Sequence, residues 1–260
     1  MAFTIRNLTL SIGGICCALL LQAQEPPPLR ELNFHVVSGS RIHNVRFGVY
    51  DDEGNLVGSK QTGFRSSGRS LKYTYKGPSK IIFFEEKAAP TAANPQAVSR
   101  SIVGVSQVPE NVTDALFLFS EIKPAPKKGY KYDIQWMDIS GDNIPPGHVT
   151  IFNTLPINFK GAVGKKGQKG KVINAQPGLN PPISFHPQAT LLLTLESKKD
   201  GILRVYEENI TCSEDDRILL VLFPPRFPGS LNIGSKIITF PLTPVKKEKE
   251  DKEKPSPGQD

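Results

Sequence analysis

The chain has 260 residues, 22% of them charged and 38% hydrophobic, with a net charge of +7. That balance excludes a wholly disordered chain and a multi-span membrane protein, and three cysteines are too few for a disulfide scaffold. Residues 123–171 hold nine lysines and three aspartates, so the excess positive charge sits in one segment, where an electrostatic partner is expected.

Residues 1–23 read as a signal peptide. Arg6 supplies the positive start, 8–21 form an uncharged, mostly apolar run, and Ala23 offers a small residue for cleavage. A run of 14 residues is short of the roughly 20 that a helix needs to cross a bilayer. The expectation is cleavage near Ala23 and a secreted or periplasmic chain that does not span the membrane after processing. Cys16 and Cys17 leave with the leader, so Cys212 remains as a lone free thiol.

Short stretches rich in Val, Ile, Phe, Tyr and Thr, broken by Gly and Pro, predict an all-β protein. In chain order the expected strands are 32–37, 45–50, 70–75, 80–84, 102–108 and 115–119. The run Leu116-Phe117-Leu118-Phe119 does not alternate, which predicts a strand covered on both faces. Lys123-Pro124-Ala125-Pro126-Lys127-Lys128-Gly129 reads as a stiff, solvated linker. Beyond it the expected strands are 132–136, 149–153, 157–160, 191–195, 202–206, 218–223 and 236–240. The organisation that follows is domain 1 over 24–122, a linker over 123–129 and domain 2 over 130–243. Residues 244–260, rich in Lys and Glu and ending in Pro-Ser-Pro-Gly, predict a disordered charged tail.

Three echoes support a duplication. Glu110-Asn111-Val112-Thr113 leads into the apolar run at 115–119, and Glu208-Asn209-Ile210-Thr211 precedes the run at 218–223. A Pro-led strand ending in Glu occurs at 78–85 and at 187–196, and Leu56-Val57-Gly58 is answered by Ala162-Val163-Gly164. The predicted fold is therefore two tandem antiparallel β-sandwich domains of immunoglobulin-like type, related by a diverged internal duplication. Residues 149–156 loosely resemble the strand that opens the second domain of periplasmic pilus-assembly chaperones. The likeness is confined to that stretch, and the basic residue that anchors a subunit in that family has no match in the first domain.

The most specific local feature is the loop 160–171, where Lys160, Lys165, Lys166, Lys169 and Lys171 are interleaved with glycines. Backbone N–H groups and ammonium charge together suit an anion, which makes these five lysines the candidate anion-binding residues. The spacing fails as a phosphate-binding P-loop, because no Gly precedes Gly164-Lys165 or Gly170-Lys171 by five residues and no Ser or Thr follows. Without interleaved arginine or aromatic residues, and with export expected, nucleic acid is not an expected partner. His35, His43, His148 and His186 are not spaced as metal ligands, and neither acidic cluster, 51–53 or 214–216, follows the calcium-loop pattern. Ile134 and Trp136 alternate onto one strand face, which favours a core role for Trp136. No catalytic motif, metal or cofactor is nominated. The expected function is an exported, non-enzymatic structural or interaction protein of the cell envelope, with an envelope protein or anionic polymer as partner. The alternative is a module that binds acidic polymers or glycans through the lysine loop, and the third is a hydrolase whose site is not visible in sequence.

Overall fold

A computed structural model describes residues 29–65, 68–90, 97–124, 129–139, 143–165, 168–184, 187–197, 199–227 and 229–240. The expected signal peptide and charged tail lie outside the described residues. All regular structure among the described residues is β, in seventeen strands and four sheets.

The first eight strands are β1 (Arg30–Ser38), β2 (Val45–Tyr50), β3 (Leu56–Gln61), β4 (Tyr73–Gly77), β5 (Lys80–Ala88), β6 (Val98–Gln107), β7 (Asp114–Glu121) and β8 (Tyr132–Asp138). Sheet I has the order β4-β1-β7-β8 and sheet II the order β3-β2-β5-β6. The second set is β9 (His148–Asn153), β10 (Phe159–Gly164), β11 (Lys171–Ala175), β12 (Gly178–Leu179), β13 (Ile183–Ser184), β14 (Gln188–Ser197), β15 (Gly201–Thr211), β16 (Arg217–Phe223) and β17 (Gly234–Phe240). Sheet III has the order β12-β9-β16-β17, with β13 also pairing β9, and sheet IV the order β11-β10-β14-β15. Strand for strand, sheet III repeats the order of sheet I and sheet IV that of sheet II.

Two features differ from the sequence reading. The sheets are mixed, because β1 pairs with β7 and β9 with β16 in parallel. The chain leaves sheet I after β1 for β2 and β3 of sheet II, returns for β4, adds β5 and β6 to sheet II, and re-enters beside β1 in the same sense through the turn at 108–113. Arg30 pins that turn: its guanidinium donates to the carbonyls of Val108 (2.8 Å), Pro109 (2.5 Å) and Val112. The segment 123–129, expected to separate two domains, instead joins adjacent strands of one sheet. Strand β8 pairs with β7, and Tyr132 and Ile134 complete the first core, so the apolar face of β8 holds it in the first half. The crossing between halves falls at 139–147, where Ile144 is buried.

Three apolar layers hold the four sheets. Between sheets I and II the first core is aromatic: Phe34 meets Phe117 edge-on at 5.3 Å, and Phe83 meets Phe119 at 5.0 Å. Such edge-to-face pairs add about 0.5–1.5 kcal/mol beyond area burial. Between sheets III and IV the second core is mainly aliphatic, with Val149, Ile151, Leu191, Leu193, Leu220 and Leu222. A third cluster joins sheet I to sheet III: Val37, Leu116, Leu118 and Met137 meet Phe152, Leu219, Val221, Phe223, Ile238 and Phe240.

The third layer explains the unbroken apolar runs. Ala115, Phe117 and Phe119 point into the first core, while Leu116 and Leu118 point into the middle one. Ile218, Leu220 and Leu222 point into the second core, while Leu219, Val221 and Phe223 point into the middle one. A strand buried on both faces has no position where a polar residue is favourable, so alternation disappears. Burial of each such side chain contributes about 1.5–3 kcal/mol.

The echoes are only partly equivalent in space. The strands at 80–88 and 188–197, and those at 114–121 and 217–223, occupy matching places in the sheet orders. Asn111 lies in the turn before β7, however, whereas Asn209 lies inside β15. Residues 56–60 belong to β3, whereas 162–164 belong to β10, the counterpart of β2 in sheet order.

Candidate functional site

A cleft opens where the middle layer reaches one end of its strands. Three chain segments build it. After β1, Gly39 bends the chain over Phe223, and a Cβ at position 39 would lie 2.5 Å from that ring, so only glycine permits the approach. At the end of β7, Phe119, Ser120 and Glu121 form one wall. At the end of β16, Phe223 runs into Pro224 and Pro225, which have no N–H to extend the ladder and so end the strand.

The resulting cleft has a volume of about 760 Å³. Beneath it the rings of Phe119 and Phe223 are fully buried. Ser120 is engaged below it, donating to Thr154 Oγ1 at 3.4 Å, and Thr154 in turn donates to the Leu222 carbonyl at 2.7 Å. Charge appears only at the rim. Lys123 pairs with Glu121 at 3.3 Å and donates to the Arg226 carbonyl at 3.2 Å. The Arg226 guanidinium lies 5.5 Å from the Phe227 ring centroid, and among the described residues no carboxylate pairs with it. Phe227 itself is 66% exposed at the mouth.

The lysines expected to bind anions are arranged differently. Lys160 is spoken for by Glu196 at 3.0 Å on the open face of sheet IV. Lys165 lines a second concavity of about 450 Å³ with Gln188, Thr190 and Asn209, where Thr190 Oγ1 donates to Asn209 Oδ1 at 2.6 Å. Lys169 and Lys171 are exposed on the same hairpin, and Lys166 lies outside the described residues. The hairpin glycine at 164 has a packing reason, because a Cβ there would meet Gly170 Cα at 2.8 Å. The structure thus brings Lys165 to a groove, pairs Lys160 with Glu196 and leaves Lys169 and Lys171 exposed on the hairpin.

The remaining titratable groups are dispersed. Cys212 is 2% exposed in the second core, and burial pushes its thiol pKa up, with nearby Asp216 adding to the rise. His35 is half-buried, its Nδ1 2.9 Å from the Ser70 carbonyl, and burial lowers its pKa. His148 Nδ1 lies 2.7 Å from the Pro146 carbonyl, His43 is exposed, and His186 lies outside the described residues. Asp216 accepts the Ser213 N–H at 2.8 Å, which closes the acidic turn and lowers its pKa. Among the described residues no three His, Cys, Asp or Glu side chains converge as metal ligands would. Trp136 packs against the first core and Tyr132 is buried within it, while Tyr206 belongs to the second, so these rings form no common platform.

The cleft was not read from the sequence. Its one sequence signal is Phe223-Pro224-Pro225-Arg226-Phe227, where an apolar run stops at two prolines and an arginine-aromatic pair follows. No protein-family model matches the chain, and no curated protein matches it significantly.

Proposed function

We propose that this chain is an exported, non-enzymatic interaction protein of the cell envelope, built from two immunoglobulin-like β-sandwiches that arose by duplication. The repeated strand order and the two separate sheet-on-sheet cores support the duplicated architecture. The leader-like residues 1–23 support export. Among the described residues no helix is long and apolar enough to cross a membrane.

The observation that carries the interaction role is the seam cleft. Prolines and aromatic rings alternate with serine and glycine in its lining and its charges lie at the rim, which is the chemistry of binding. Fractionation of native cells with N-terminal sequencing tests the export half of the proposal. The expected product is an envelope or secreted chain beginning near Gln24, and a cytosolic chain beginning at Met1 would contradict it. A second reading has one specific observation in its favour: Lys165 shares a groove with Gln188, Thr190 and Asn209, polar groups suited to an acidic polymer. Polymer binding that is lost in Lys165→Glu and unaffected at the cleft would favour that reading.

A further inference from the structure

We infer that the seam cleft takes a small amphipathic anion, an unbranched acyl chain ending in a carboxylate. The inference rests on the interaction reading above and names the ligand class of that site. Three observations lead to it.

The first is size. A cleft of about 760 Å³ falls within the roughly 300–1,000 Å³ typical of small-molecule sites.

The second is the lining. Pro124, Pro224, Pro225 and Phe227 present apolar surface above the buried rings of Phe119 and Phe223, and the slot lies between the ends of two sheets packed back to back. The serine hydroxyl at the floor, that of Ser120, already donates to Thr154. Methylene groups lose no hydrogen bonds against the proline and aromatic surfaces of the lining. The exposure of Phe227 at the mouth fits the same end, since an apolar ligand would cover the ring.

The third is charge at the rim. Glu121 and Lys123 neutralise one another at 3.3 Å, and among the described residues no carboxylate of the cleft pairs with Arg226. Its guanidinium carbon lies 5.5 Å from the Phe227 ring centroid at the exposed mouth of the cleft. The planar N–H edge of a guanidinium matches the two oxygens of a carboxylate, in a fork that a point charge such as an ammonium cannot reproduce.

Calorimetric titration of the full chain with octanoate, decanoate and decylammonium, each below its micellar concentration, tests the inference. Decanoate is expected to bind saturably, about tenfold or more tighter than octanoate, because two methylenes leave water. Decylammonium is expected to bind at least tenfold more weakly than decanoate. Arg226→Glu should weaken decanoate at least tenfold, Ser40→Trp should abolish binding by filling the slot, and Lys169→Glu on the distant hairpin should change nothing. If Ser40→Trp proves unfolded by its thermal transition, Arg226→Gln serves in its place and should weaken decanoate without affecting the transition. Equal or tighter binding of decylammonium, an Arg226→Glu chain that binds decanoate as well as the parent, or no saturable decanoate binding would each overturn the ligand class. If the ligand class fails while a cleft substitution still releases the protein from the envelope fraction, the interaction reading stands on its own.

Discussion

Leu219 and Leu220 are neighbours on β16, both fully buried, yet they point into different layers. Leu220 belongs to the second core, and Leu219 to the layer between sheets I and III. If that middle layer is packed as densely as the cores, Leu219→Ala should destabilise as much as Leu220→Ala. Removing the leucine methyl and methylene groups forfeits about 0.8 kcal/mol per carbon in transfer free energy, and the cavity left behind raises the total to about 2–5 kcal/mol. For a chain of this size that corresponds to a fall in melting temperature of about 4–20 °C. Urea unfolding followed by tryptophan fluorescence reads the first number, and a thermal melt followed by circular dichroism reads the second. Val172→Ala supplies the surface reference, since Val172 is 79% exposed and should change stability by less than about 0.5 kcal/mol. A Leu219→Ala chain that behaves like Val172→Ala would show two halves held together by the chain alone and would refute the packed middle layer.

Gly39→Val should cost about 1–3 kcal/mol, because its Cβ would meet Phe223 at 2.5 Å within the seam; a variant as stable as the parent in thermal melts would place the bend elsewhere. Burial holds the His35 pKa below its ordinary value, so as pH falls through about 6.5 the unfolded chain takes up this proton before the folded one does. Stability should therefore decline from pH 7 downward through that region, and His35→Gln should flatten the decline in denaturant midpoints; an unchanged slope would contradict the assignment. Cys212 should resist alkylation at pH 8 in the native chain and react fully in guanidinium, since burial both shields the thiol and raises its pKa. Rapid native labelling would show that the end of β15 opens.

Much of the strand content was legible because strands announce themselves through branched and aromatic residues between turns. Strand β2 at Val45–Tyr50 and the doubly buried run in β7 are the clearest cases. Strand β3 (Leu56–Gln61) did not stand out, because Leu56 and Val57 face solvent and Gly58, Ser59 and Lys60 show no apolar pattern. The placement of β8 was misread for a different reason. A proline- and lysine-rich stretch marks a solvated connection equally well between domains and between adjacent strands, and only the burial of Tyr132 and Ile134 decides. Parallel pairing of β1 with β7 depends on the route of the chain through sheet II, which local composition does not encode. The cleft was hidden because Gly39, Phe119 and Phe223 come from separate strands in two halves of the chain and meet only through the middle layer. The lysine loop drew attention for the opposite reason: its residues are adjacent in sequence, but Lys160 turns to Glu196 while Lys165 lines the groove beside Thr190.

The interaction role of the seam cleft is tested most directly by fractionating native cells that carry either the parent chain, Ser40→Trp or Lys169→Glu. The parent and Lys169→Glu chains should be retained with the envelope, and Ser40→Trp should be released while keeping its melting temperature. Retention of a folded Ser40→Trp chain together with release of Lys169→Glu would contradict the cleft and transfer the role to the lysine hairpin.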